Sequence, residues 1–439
     1  MIKPEPLEQL TPSEISRILK RSQLDIEAVK SPVIKIIENV RKRGDSALID
    51  YTAQFDKVTL NSSQLKVSPE EIRVAYKSTS RDVVEALKKA AKNIERFHRK
   101  QLPPEFWLTE VNKGIKLGRI RRPLSSVGLY IPGGRAAYPS TVLMTAIPAR
   151  IAGVEKIIAC TPPMSNGKVN PLTLVAADIA GVTTIYPIGG AQAIAAMAYG
   201  TETVPKVDKI VGPGNIYVTA AKNLVYGQVD IDFSAGPSEI LILADSTADP
   251  TIAAMDLISQ AEHDPNAASV IVTTSSSLAK EIGKRLEQLV KKEKRSKIIE
   301  QSLNKNGAIL IAKNMKEAIN FVNEYAPEHL QIIAVNPLTL LKKIKHAGSI
   351  FLGPYSPVPA GDYATGANHV LPTGGNARLY AGLSVDNFLK RPTVQMINKS
   401  GLKKLQKIIL TLSTAEGLPA HSKVVEERLK QKGGVSSGS

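Results

Sequence analysis

Gln260 and His263 stand three residues apart in the segment AAMDLISQAEHDP. The segment reads as a helix, and residues at that spacing share a helix face. An amide oxygen and an imidazole projecting together can begin a metal site. The chain has only six histidines, and four sit in polar settings. His263 lies beside Glu262 and Asp264, His329 follows Glu328, His369 is in a long polar stretch, and His421 is near Glu416. Gln260, His263, Asp362 and His421 together offer two nitrogens and two oxygens, a borderline-hard set that suits zinc or manganese. Such a set with open positions would be catalytic rather than structural.

Glu328-His329, in YAPEHLQ, falls where a helix gives way to a strand. Both side chains can reach one cleft from such a junction. A carboxylate can activate water and a histidine exchanges protons near neutral pH. A helix end with incidental charge is the equal alternative.

These residues need a scaffold. Residues 1–100 read as helical, with capping boxes at Thr11–Glu14 and Ser68–Glu71, and with Ser31-Pro32 as a helix start. The helix from Arg81 to about Lys100 ends at His98, which reads as a surface residue. From Val127 the texture becomes strand, glycine turn, helix, repeated: Val127–Ile131 then Pro132-Gly133-Gly134, Thr184–Ile188 then Gly189-Gly190, and Lys209–Val211 then Gly212-Pro213-Gly214-Asn215. That alternation predicts an open, mostly parallel α/β sheet. Ligands bind such sheets at the carboxyl ends of the strands, where glycine turns admit a phosphate to helix N-termini. The turns suit a nucleotide, or they are plain turn chemistry, since no G-x-G-x-x-G occurs. A second series runs from Ile240–Ala244 to Ser349–Leu352, followed by the Gly/Pro/Asn-rich stretch Gly353–Gly375. Helices return at Leu402–Leu412 and His421–Lys430.

At 439 residues the chain is long enough for two or more domains. Lys+Arg exceed Asp+Glu by 57 − 40 = 17. The lysines are spread over many helices and no basic run is interleaved with aromatics, which argues against a nucleic-acid partner. The single cysteine, Cys160, rules out an intrachain disulfide and fits a cytoplasmic setting. No stretch approaches the roughly 20 apolar residues of a membrane span, and the N-terminus lacks a signal peptide's apolar core.

The stretches GLYIPGGRAAYPSTVLM, YPIGGAQAIAA, VDKIVGPGNIYVTAAK, AGPSEILILAD, DLISQAEHDP, YAPEHLQ, GDYATGANHVLPT and AEGLPAHS closely resemble the histidinol dehydrogenase family, over nearly the whole chain. The resemblance implies NAD- and zinc-dependent oxidation of L-histidinol through L-histidinal to L-histidine, with one zinc per subunit. It implies Gln260, His263, Asp362 and His421 as zinc ligands, Tyr130, Gln192 and Asn215 as NAD contacts, Glu328 as the activator of water, and His329 as general acid/base. Ser238, His369 and Glu416 would bind substrate together with His329 and the ligand set. The implied fold is α/β, two incomplete Rossmann-like domains of aldehyde-dehydrogenase type with small helical terminal elements. Its boundaries here are an N-terminal element at 1–22, a metal and substrate domain at 23–129 and 237–383, an inserted NAD domain at 130–236, a C-terminal helical element at 384–432, and a flexible tail at 433–439. A homodimer is implied, with the C-terminal element reaching the partner's site. A related zinc/NAD dehydrogenase acting on another amino alcohol is the alternative.

Overall fold

The computed structural model describes residues 2–21, 25–133, 137–233 and 236–431. It divides into two compact units: residues up to Gln101 with Leu124–Phe388, and Leu102–Pro123 with the residues from Leu389 on.

The larger unit contains two parallel sheets. The first has six strands in the order Pro4–Pro6, Gly307–Ile311, Ala268–Thr273, Glu239–Ala244, His329–Ile333, Ser349–Leu352. Its inner strands, EILILA, ASVIVT and HLQII, are buried along their whole length. Such runs suit a parallel sheet covered on both faces. Successive side chains point to opposite faces. Ile240, Ile242 and Ile271 therefore join a core with Leu257, Ile258 and Ile282 of the helices Pro250–Ala261 and Ser276–Leu289. Leu241, Leu243 and Val270 join another with Phe321, Val322 and Tyr325 of the helix Met315–Tyr325.

The second sheet has five strands in the order Thr184–Tyr186, Lys156–Cys160, Ser126–Tyr130, Lys209–Val211, Asp230–Ile231, all parallel. The helices Gly190–Tyr199 and Ile216–Val225 carry its core toward the long helix Glu27–Arg43. The helix Arg81–Arg99 packs on Pro139–Ala152.

Both capping boxes are present: Glu14 N donates to Thr11 Oγ1 at 3.3 Å, and Glu71 N to Ser68 Oγ at 3.3 Å. Two sequence expectations are corrected. Pro32 lies inside the helix that begins at Glu27, not at its start, and the buried Val29, Val33, Ile36 and Ile37 offset the lost backbone bond. Residues 1–100 are not all helical, because Pro4–Pro6 adds an edge strand to the first sheet. The stretch after Gly353 holds a short helix, Val358–Tyr363.

The smaller unit is an antiparallel sheet in the order Thr393–Ile397, Ile115–Ile120, Phe106–Asn112, with a two-stranded pair of Arg122–Pro123 and Leu389–Lys390. Its helices Lys399–Ala415 and Pro419–Lys430 pack on each other. No helix among the described residues is long and apolar enough to cross a membrane.

Candidate functional site

Two adjacent strands of the six-stranded sheet begin side by side, with Ile240 in register with His329. The residues just before the ladder, Glu239 and Glu328, clasp each other. Glu239 N donates to Glu328 Oε2 at 2.7 Å, and Glu328 N donates to Glu239 Oε1 at 3.1 Å. His329 Nδ1 lies 2.9 Å from the Glu239 carbonyl. A carbonyl only accepts, so Nδ1 carries the proton and Nε2 holds the lone pair. That Nε2 is buried without a hydrogen-bond partner, 3.9 Å from Asp362 Oδ1.

Electrostatics follow from enclosure. Burial, and next the Glu239 carboxylate, push Glu328 well above the ordinary carboxyl range. Burial drops His329 to about 4, so the ring is neutral at physiological pH. Burial also raises Asp362 to about 7. A carboxyl held up by desolvation is one that a nearby cation would return to its charged form.

Asp362 sits near the end of the helix Val358–Tyr363, and its carbonyl accepts from His369 Nδ1 at 2.9 Å. His369 Nε2 then faces Thr141 Oγ1 at 3.4 Å. The preceding Asn368 anchors this turn. Its Nδ2 donates to Met144 O at 2.7 Å and lies 3.3 Å from His98 Nε2, and its Oδ1 accepts from Val370 N at 2.9 Å. His98 is fully buried, not a surface residue, with Nδ1 donating to Ile94 O at 2.9 Å.

Gln260 is buried at the end of the helix Pro250–Ala261, with its amide nitrogen unpartnered. His263 lies two residues past that helix, in a turn closed by its N–H on Gln260 O at 3.3 Å, and is solvent-exposed. Ser238 is half-buried beside Glu239, its carbonyl accepting from Ala268 N at 3.1 Å. Glu328, His329, Asp362 and His369 thus form one linked group, with Gln260 and His263 at a neighbouring helix end. Glu416 and His421 belong to the smaller unit, where Glu416 ends one helix and His421 lies in the first turn of the next, both exposed. Among the described residues of a single chain, no group of three His, Cys, Asp or Glu side chains is arranged to hold a metal. Of the implied ligands, Asp362, a carboxyl raised by burial, is the one whose state fits a cation beside it.

The nucleotide candidates lie at the carboxyl edge of the five-stranded sheet. Tyr130 ends its central strand and its hydroxyl accepts from Gly190 N at 3.1 Å. Gln192 is buried with both amide atoms unpartnered. Asn215 caps the helix Ile216–Val225, its Oδ1 accepting from Tyr217 N at 3.0 Å and Val218 N at 3.1 Å. The Gly212 turn is rigid. Its N–H donates to Asp232 at 2.8 Å, its carbonyl accepts from Lys222 Nζ at 3.0 Å, and those two side chains form a buried ion pair. A Cβ on Gly212, at φ 114°, would meet Tyr130 O at 2.2 Å. This cradle and the empty-handed Gln192 fit a dinucleotide approaching helix N-termini. Gly134, of the first glycine turn, lies outside the described residues.

Sequence reasoning missed Glu239, Asn368 and the burial of His98. Glu239 had a signal: a charged residue opening the otherwise apolar strand EILILA must find a partner.

Parallel sheets covered on both faces, a buried carboxylate–imidazole pair and a glycine-lined edge describe an α/β oxidoreductase. The comparisons narrow this. The histidinol dehydrogenase family profile matches residues 19–429. Histidinol dehydrogenase of Methanothermobacter thermautotrophicus is 55% identical over 416 residues, covering 95% of this chain and 97% of that one. That of Methanocaldococcus jannaschii is 52% identical, covering 97% and 98%. The crystal structure of histidinol dehydrogenase from Elizabethkingia anophelis superposes with a TM-score of 0.93 at 40% identity, covering 98% of each chain. The chain belongs to the histidinol dehydrogenase family.

Proposed function

We propose that this enzyme oxidises L-histidinol through L-histidinal to L-histidine. The observation that carries the reading is the buried Glu328–His329 pair, with one imidazole nitrogen committed to a carbonyl and the other unpartnered toward Asp362. The alcohol loses two hydrides and gains one water oxygen. His329 Nε2, a neutral acceptor, takes the hydroxyl proton in the first oxidation. Glu328, made more basic by burial, takes a proton from the water added to the aldehyde. His329 then accepts a proton again as the hydrated aldehyde is oxidised. His369, Ser238 and Glu416 hold the substrate. Gln260, His263, Asp362 and His421 would hold a zinc ion, which when bound would supply Lewis acidity and a template for the substrate's imidazole and amine. Tyr130, Gln192 and Asn215 would hold NAD+, which when bound would supply the hydride acceptor. Enclosure of the pair retains the reactive aldehyde.

The test separates the two residues. His329→Asn should lower NADH formation from both L-histidinol and L-histidinal by about 100-fold or more. Glu328→Gln should depress oxidation of the aldehyde more than that of the alcohol. Near-wild-type turnover by either variant would refute its assigned role. Comparable kcat/KM for amino alcohols lacking an imidazole would instead favour the alternative substrate class.

A further inference from the structure

Arg21, at the end of the helix Pro12–Lys20, is tied to the catalytic pair through Glu239. Its Nε lies 2.5 Å from Glu239 Oε2 and its Nη2 2.7 Å from Oε1, a bidentate pair with both side chains almost wholly buried. The guanidinium lies 3.7 Å above the buried Tyr325 ring, and Nη2 reaches Ala326 O at 3.4 Å. Arg21 therefore touches both chain segments that enter the paired strands. One is Glu239 itself, and the other is the turn at Tyr325 and Ala326, where Ala326 takes a left-handed φ of 49° two residues before Glu328.

A buried ion pair is weak evidence for stability, since apolar replacements are often as stable. Its placement calls for another account. The parallel ladder between these strands begins at Ile240 and His329. Glu239 and Glu328 lie one residue ahead of it, so the ladder does not fix the Glu328 side chain. The clasp does. Glu239 Oε1 holds the Glu328 N–H, and Glu239 N–H holds Glu328 Oε2, leaving Glu328 Oε1 as the oxygen free to meet water. The Glu239 carbonyl meanwhile fixes the His329 tautomer. Two of these contacts use the Glu239 backbone, which its pairing with Ala268 also fixes, and the third, to the Glu328 N–H, uses the Glu239 carboxylate that the Arg21 fork holds in two directions.

We infer that Arg21 and Glu239 are positioning residues for the reaction: the Arg21-held Glu239 carboxylate fixes the Glu328 backbone, and through it the placement of the Glu328 carboxyl and the adjoining His329 ring. This rests on the roles assigned above to Glu328 and His329.

The test is the double variant Arg21→Met/Glu239→Met, which removes both charges and leaves neither stranded. It should fold, retain zinc, and keep the KM for L-histidinol within about threefold, while kcat falls about 100-fold, the scale expected when a reacting group is misplaced by about 1 Å. A purely structural pair would lower thermal stability and leave kcat of the folded enzyme unchanged. Wild-type kcat in the folded double variant overturns the inference. Should the double variant fail to fold, Glu239→Gln carries the test. It keeps an acceptor for the Glu328 N–H but loses the fork, so kcat should fall about tenfold at unchanged KM, and unchanged kcat overturns the inference. Glu328→Gln is measured alongside. Full activity there would refute the role of Glu328 itself, whereas an inactive Glu328→Gln beside an active clasp variant refutes only the clasp.

Discussion

Replacing Asn368 by alanine should be among the costlier single changes near this site. Its amide makes three contacts: to Met144 O at 2.7 Å, to His98 Nε2 at 3.3 Å, and from Val370 N at 2.9 Å. Each net bond contributes about 1 kcal/mol, and a buried partner left unpaired costs about 1–3 kcal/mol more. Asn368 retains 8% exposure, so water can reach some of the stranded groups, whereas His98 is fully buried. The sum is about 3–4 kcal/mol. Urea unfolding followed by circular dichroism measures it, with the denaturant slope checked against the parent. His369 follows directly in the chain, so the KM for L-histidinol should rise in the same variant. Asn368→Asp sharpens the reasoning. It keeps an acceptor for Val370 N but presents a carboxylate to the Met144 carbonyl and the His98 lone pair. It should be at least as destabilised as the alanine variant at pH 8. A loss under about 1 kcal/mol for Asn368→Ala, or an aspartate variant more stable than the alanine one, would show that the amide does not anchor this turn.

Two further outcomes follow from the same geometry. Burial lowers the His98 pKa below its ordinary value. The stability from its neutral ring is therefore complete above the unfolded value and is lost as pH falls through the folded one. The advantage of the parent over His98→Gln should shrink below about pH 6.5, by at most about 1.4 kcal/mol per pH unit. A urea-midpoint difference that is constant between pH 7.5 and pH 5 would refute this. If His421 serves the partner's metal, mixing His329→Asn with His421→Ala chains should restore activity, because each hybrid dimer then holds one complete site. Random reassortment gives about a quarter of wild-type sites. No restoration after confirmed subunit exchange would place His421 in its own chain's site.

The α/β core was legible because a doubly covered parallel strand must be apolar throughout, and EILILA, ASVIVT and KIIAC are nearly so. Pro4–Pro6 was not legible. Two of its three residues lack a backbone N–H, which is tolerated only where one side of a strand goes unpaired, at a sheet edge. The hairpin at Phe106–Ile120 was hidden differently. Phe106 and Trp107 are about half exposed, so its pattern lacks the one-sided alternation that marks a half-buried strand.

The same divide runs through the site. Glu328 and His329 are neighbours in the chain, and Gln260 and His263 are three residues apart, so both pairs are visible in short-range spacing even though His263 lies past the end of its helix. The groups that hold them lie far away in sequence. Arg21 reaches Glu239 across 218 positions, Glu239 reaches Glu328 across 89, and Asn368 reaches His98 across 270. Spacing along the chain does not pair such residues, because what selects them is the fold: a strand end that lies one residue ahead of its ladder with the neighbouring strand, or a loop that must return to a helix end. Two of them were nevertheless polar residues in an apolar setting, Glu239 before ILILA and His98 on the buried face of its helix. A polar group buried there must be satisfied by something. For Glu239 the partners include the Glu328 carboxyl and the His329 ring, so the search for what satisfies that buried polar residue leads from the core to the proposed chemistry.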